Sequence, residues 1–283
     1  MSPTDAAKAP SSVPVGVDPN RASIARVYDA ALGGKDNYAI DRQVIEQVKQ
    51  VAPEIRDMAW ANRNWLTRAV RCMLAQGIDQ YIDCGSGLPT AENVHQVVQR
   101  ANPEGVVVYT DNDPVVLAHA QALLADEGNT HIAAADIYDP GQVYGAPIIG
   151  THIDFTRPIG LMHSSTIHHY PGDDYADLMR QYIDPLPSGS WIALSHFYDP
   201  EKPELSQVAR RMEDIFSHSA MGSGWFRTRE QILSMMPGLE IVAPQPGMDP
   251  TVVPCDLWWP DGPVPQPLTA EQELIGCVVG YKP

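Results

Sequence analysis

Apolar residues recur at intervals of three and four through the first quarter of the chain: Val44, Val48 and Val51, then Ile55, Met58, Ala59, Trp65, Leu66, Ala69, Val70 and Met73. That spacing predicts amphipathic helices over 21–34 and 40–77. Gly33 and Gly34 in LGGKDNY interrupt the pattern and Gly77 ends it, where a left-handed backbone is expected to stop a helix. Beyond Gly77 the pattern changes to short β-rich runs at 80–83, 106–111, 131–136, 159–165 and 190–197, alternating with helical stretches at 90–101, 113–126 and 173–186. Such alternation predicts right-handed βαβ units and a parallel sheet covered on both faces. Helices over 202–219 and 227–236 precede two last strands, 239–243 and 274–282. A proline-dense loop from Pro244 to Pro267 separates these, so the pair is expected to be antiparallel. The expected fold is α/β, with a seven-stranded, mostly parallel sheet and an N-terminal helical cap.

Composition narrows the function. The chain has 283 residues, 44% of them hydrophobic and 19% charged, enough to bury a large core. The expected organisation is a disordered leader over 1–18, rich in Pro, Ser, Ala and Gly, a helical cap over 19–77 and an α/β domain over 78–283. A net charge of −16 argues against nucleic acid as a partner, because phosphate binding needs clustered Lys and Arg. No apolar run approaches the roughly 18 residues that span a bilayer, and the N-terminus lacks a basic segment followed by an apolar one, so a cytoplasmic protein is expected. Cys72, Cys84, Cys255 and Cys277 form no CxxC pair and read as reduced thiols.

The chemistry concentrates in 80-QYIDCGSGLPTAENVH-95. In open α/β sheets a ligand sits beyond the carboxyl ends of the strands, and here the first strand ends at Asp83 with the glycines directly after it. Gly85 lets the chain turn, Gly87 leaves room for a ligand against the backbone, and Pro89 suits the first turn of a following helix. A dinucleotide site would need a third glycine, where Thr90 stands, and an acid beside its pyrophosphate would repel it. S-adenosylmethionine carries a sulfonium and an α-ammonium and no phosphate, so Asp83 favours it. Asp111 ends the second strand, where an acid can accept two ribose hydroxyls, and Asp136 ends the third, within reach of an adenine amino group. Asp113 before Pro114 reads as a helix cap.

ARVYDAALGGKDNYAIDR (25–42), ANRNWLTRAVR (61–71), IDCGSGLPTAENVH (82–95), VVYTDNDPVVLAHAQALL (107–124) and GSWIALSHF (189–197) resemble the S-adenosylmethionine-dependent methyltransferase family common in actinomycetes, formerly a domain of unknown function. The resemblance implies a class I methyltransferase, Rossmann-like fold with a helical cap. The expected cofactor-binding residues are Asp83, Gly85, Ser86, Gly87, Asp111, Asn112, Asp136, Ile137, Gly34, Tyr38 and Ser164. The segment 28-YDAALGGKDNY-38 is expected to lie as a lid on the methionine end of the cofactor. After the fourth strand stand His163, His168 and His169. If a general base is used, His168 is the first choice and His169 the second, with only one of that pair facing the site. A metal site from these histidines with Asp173 and Asp174 is an alternative. His196, expected to close the fifth strand, reads as a wall or core residue, and Trp258 and Trp259 as core or an aromatic lid. The expected activity is methylation of a small-molecule acceptor, on oxygen or nitrogen, in secondary metabolism. The rivals are an S-adenosylmethionine sensor without turnover and an NAD(P)-dependent oxidoreductase.

Overall fold

The structure, a computed structural model, describes residues 17–89, 92–123, 128–262 and 267–283. All but the end of the expected leader lies outside the described residues, as does Thr90. Three helices come first: α1 (Ile24–Leu32), α2 (Ala39–Val48) and α3 (Ile55–Ala75). The helical run expected over 40–77 is therefore two helices. Pro53, which lacks the N–H a continuing helix needs, lies in the break. α1 ends at Gly33, whose φ of 84° is the left-handed cap expected there.

Then follow β1 (Gln80–Cys84), α4 (Val94–Ala101), β2 (Val106–Asp111), α5 (Pro114–Leu123), β3 (Thr130–Ala134), α6 (Pro140–Tyr144), α7 (Pro147–His152), β4 (Gly160–Ser164), α8 (Tyr175–Ile183) and β5 (Trp191–Asp199). The chain continues through α9 (Pro203–His218), β6 (Arg227–Thr228), α10 (Arg229–Leu233), β7 (Glu240–Ile241), β8 (Val253–Pro254) and β9 (Ile275–Tyr281). Among the described residues the sheet has nine strands rather than seven. The main path runs β3-β2-β1-β4-β5-β9-β7, and β6 and β8, two residues each, pair off it with β5 and β9. β1 to β5 pair in parallel, and β9 is antiparallel to both neighbours.

Side-chain alternation along the strands divides the core. Tyr81, Val107, Met162 and Ala193 face the helices of the first third together with α4 and α9. Ile82, Val108, Leu161 and Leu194 face α6, α7, α8 and α10. Val27 of α1, Val44 of α2 and Trp65 of α3 belong to the same buried cluster as the first set of strand residues, so side chains on both sides of residue 77 pack in one core. Among the described residues no helix is long and apolar enough to cross a membrane.

Three local expectations fail for stated reasons. The helix after the glycine turn begins at Val94, capped by Asn93, whose N–H donates to Gln96 Oε1 at 2.8 Å. Glu92 at φ 70° precludes an earlier start, so Pro89 is not in a first turn. β3 stops at Ala134, two residues before Asp136, and β5 runs past His196 to Asp199.

Candidate active site

The order β2-β1-β4-β5 puts the switch point between β1 and β4, whose connections leave to opposite sides. A cleft of about 770 Å³ opens there, within the usual size range for small-ligand sites. Asp83, Gly85, Ser86, Gly87, Asp111, Asn112, Asp136, Ile137 and Ser164 all line it. The glycine turn is held from within. The N–H groups of Gly85 and Ser86 both donate to Thr110 O, at 2.8 and 3.1 Å, and Gly87 N–H donates to Asp111 Oδ2 at 2.9 Å. Gly85 has φ 74° and its missing Cβ would meet Thr166 Cγ2 at 2.6 Å; Gly87 has φ 64° and faces open space. With these N–H groups engaged and the next helix starting at Val94, the turn offers no cradle for phosphate, which removes the basis of the oxidoreductase reading.

Acid chemistry dominates the cleft. Asp83 is 5% exposed and its carboxyl has no hydrogen-bond partner among the described residues. Burial, with a smaller push from Asp111, raises it to about 7 despite the opposing charge of Arg63. Asp111 is also raised by burial, although it accepts the N–H groups of Gly87 and, at 2.9 Å, Asp113. Asp136 is half-buried and accepts the Tyr138 N–H at 2.9 Å through one oxygen. Asp113 caps α5 as expected, accepting the Val115 N–H at 2.8 Å, and also bonds the Ser23 hydroxyl at the start of α1.

Residues from α1, the segment leading into it, and α3 close the cleft, but not those expected. Arg21, Ser23, Ile24 and Tyr28 line it, whereas Gly34 and Tyr38 do not. The LGGKDNY segment instead folds around Asp29, whose carboxylate accepts Asp36 N–H at 3.0 Å and Asn37 Nδ2 at 2.7 Å. Gly34 is required because a Cβ there would sit 1.9 Å from Asp29 Oδ1. Tyr38 caps α2 and carries the Arg26 guanidinium over its ring. Of the expected lid only Tyr28 reaches the cleft.

Two α3 residues were not singled out by sequence. Asn62, 2% exposed, donates to Tyr28 OH at 2.9 Å and Ser164 Oγ at 3.2 Å and accepts from Ser195 Oγ at 2.5 Å. Arg63 donates to Glu92 O at 2.7 Å, lines the cleft and keeps a buried Nε without a partner among the described residues. Both lie in ANRNWLTRAVR, and a polar pair on a helix face otherwise apolar was the available signal.

A second cavity, about 60 Å³, opens off the cleft between α1, α2, α3 and the end of β5. Both His168 and His169 border it, because a single 3-10 turn, Ile167–His169, carries them with rings 4.4 Å apart. This corrects the expectation that one would turn away. His168 stacks on Phe197 at 3.6 Å and its Nδ1 accepts the Phe197 N–H at 3.2 Å, so its proton sits on Nε2. That arrangement unfits it as a base. His169 Nδ1 lies 2.9 Å from Ser223 Oγ, and this ring borders both cavities. Burial holds His168 well below its ordinary range and lowers His169 to about 4, so both are neutral near pH 7. His163 and His196 are fully buried on the opposite sheet face. Trp258 is core, Trp259 packs under Arg68, and neither lines the cleft or this second cavity, so they form no aromatic lid over either. No three His, Cys, Asp or Glu among the described residues are placed to hold a metal.

The residues present suit S-adenosylmethionine: the buried Asp83 carboxyl, with no hydrogen-bond partner among the described residues, for a cation, the Arg63 side chain on the cleft wall for a carboxylate, and open space before Gly87. The family model described as S-adenosyl methyltransferase matches residues 10–283. A candidate methyltransferase from Thermobifida fusca, known as a crystal structure, is 38% identical with a TM-score of 0.84, covering 93% of this chain and 96% of that one. A DUF574 family protein from Streptomyces avermitilis is 34% identical with a TM-score of 0.81, covering 93% and 98%. None of the curated proteins compared matches the chain. With the cleft, the glycine turn and the family model in agreement, this chain belongs to the S-adenosyl methyltransferase family and is an S-adenosylmethionine-dependent methyltransferase.

Proposed function

We propose that the protein methylates a small-molecule acceptor, on oxygen or nitrogen, where the cleft and the apolar cavity join. The observation that carries this reading is the shared wall: Tyr28, Asn62, Ser165 and His169 border both spaces. In this reading Asp83 faces the cationic end of the cofactor, Arg63 its carboxylate, Asp111 the ribose hydroxyls, and Asp136 with Ile137 the adenine. Ser164, held by Asn62, and the turn at Ser86 and Gly87 shape the surface between them. Bound S-adenosylmethionine supplies an electrophilic methyl carbon.

The chain then has three tasks. Its helices exclude water, its polar network fixes the angle of approach, and it takes a proton from an acceptor that has one. His169 suits the last task. In the tautomer whose Nδ1–H donates to Ser223 Oγ, Nε2 carries the lone pair and can receive the acceptor's proton. The four cysteines are free thiols, which suits a reducing compartment such as the cytoplasm. The proposed setting, secondary metabolism, rests on the kind of acceptor alone.

Calorimetry on Asp111→Ala tests the cofactor assignment. The change removes acceptors for two hydroxyls and frees the Gly87 N–H, so affinity for S-adenosylmethionine should fall tenfold or more. An unchanged affinity rejects it.

A further inference from the structure

The cavity beyond the junction has a chemical character of its own. Val27, Ile45, Ile55, Met58, Phe197 and Ile275 give it a hydrocarbon wall, and no Lys, Arg, Asp or Glu borders it. Its polar members are neutral and mostly committed. Tyr28 donates its hydroxyl to Ala59 O at 3.1 Å, Asn62 is held by Tyr28, Ser164 and Ser195, and His168 is engaged by Phe197. One side is aromatic: the His168 ring stacks on Phe197 at 7° and covers that face of it, and Phe216 lies parallel to Phe197 at 5.2 Å, so these rings border the cavity as a stack. An ionised group entering here would give up water and meet no counter-charge, which is strongly unfavourable. An uncharged ring gains by packing beside such a stack.

We infer that the acceptor is an uncharged, flat, largely apolar molecule of the phenol kind, whose ring lies beside the stacked rings of His168, Phe197 and Phe216 and whose single nucleophilic atom stays at the junction beside His169. This rests on the reading of the junction given above. The space, about 60 Å³, is smaller than the roughly 150 Å³ that holds benzene in a protein interior. Met58 and Met221 both line it, and their unbranched, readily rotated side chains allow it to widen. Amino acids, sugar phosphates and carboxylated aromatics are excluded as acceptors on charge, since only Tyr28, Asn62, Ser165 and the two histidines offer polar atoms.

Three probes of one frame and different charge decide this: p-cresol, p-toluate and 4-methylbenzylamine, titrated into the protein saturated with S-adenosylhomocysteine and followed by ligand-observed NMR. Binding of p-cresol at least tenfold tighter than either ion supports the inference. Equal or tighter binding of an ion, or no binding of p-cresol, overturns it. Ala31→Leu fills the cavity and should weaken p-cresol at least tenfold while leaving S-adenosylhomocysteine affinity within threefold; an unchanged p-cresol affinity also overturns it. Should that variant fail to fold, Met58→Ala enlarges the same wall and should let 4-butylphenol bind at least threefold more tightly than to the wild type, and no gain overturns the inference. Failure of wild-type protein to bind S-adenosylhomocysteine is a separate result that removes the cleft assignment itself.

Discussion

The proposed pairing of Asp83 with the cationic end of the cofactor predicts an affinity that depends on pH in a direction that can be worked out. The Asp83 carboxyl is buried without a hydrogen-bond partner among the described residues and is raised to about 7, so the cofactor-free protein holds it largely protonated below neutrality. A cation binds the ionised form. With that value, the ionised fraction rises from about 3% at pH 5.5 to about 76% at pH 7.5, which predicts an affinity gain of about 25-fold, or about 1.9 kcal/mol. The α-ammonium, titrating near 8 in model compounds, is still about three-quarters charged at pH 7.5 and so trims this gain only slightly. Calorimetric titration with S-adenosylmethionine at pH 5.5, 6.5 and 7.5, on wild type and Asp83→Asn, reads both terms. The variant should bind more weakly at pH 7.5 and lose most of the slope; a wild-type affinity flat across the window, or a variant with the full slope, refutes the reasoning. Stability moves the other way. Because the folded-state value lies above the unfolded one, the contribution of Asp83 is fully present below about pH 4 and is lost as pH rises through 7. Cofactor-free protein should therefore lose stability over that range by this group, and cofactor should restore it most near neutrality.

Gly34→Ala should cost roughly 1 to 3 kcal/mol, since the new methyl meets the Asp29 carboxylate, yet leave S-adenosylmethionine affinity unchanged; thermal unfolding and calorimetry check the two halves. His169→Ala should lower kcat by about a hundredfold at saturating cofactor with any hydroxyl acceptor that wild type turns over. His168→Ala should act chiefly on stability, because it strands the Phe197 N–H, and equal kcat losses in the two variants would reject the assignment of roles.

Strand alternation was readable because the parallel strands are buried on both faces and appear as compact runs such as 106-VVVYTD-111. The acids at their ends were readable for the same reason, since strand ends locate the cleft. β6 and β8 were not, being two-residue pairings made by tertiary approach and carrying no period. Gly34 and Tyr38 misled because a glycine pair before polar and aromatic residues looks alike whether it meets a ligand or, as here, an aspartate of the preceding helix. Asn62 and Arg63 were hidden within an amphipathic helix, where only the register of α3 against β4 and β5 distinguishes the site face from the rest.

β9 joins the sheet between β5 and β7, pairing Ile275 with Phe197 and Tyr281 with Trp191. Lys282 follows, donating through Nζ to the carbonyls of Ile183, Asp184 and Leu186 at the end of α8. These partners are far apart in sequence, so loop-closure entropy must be met before they form, and such pairings are slow. During synthesis β5 emerges well before its neighbour and stands as a bare edge, open to pairing with another chain. The strand that carries Phe197 to the apolar cavity is thus completed only when the segment bearing Ile275 arrives. A nascent chain stalled before that segment would hold the glycine turn and its acids but lack Ile275 of the cavity, so we expect competence for methyl transfer to come late in folding.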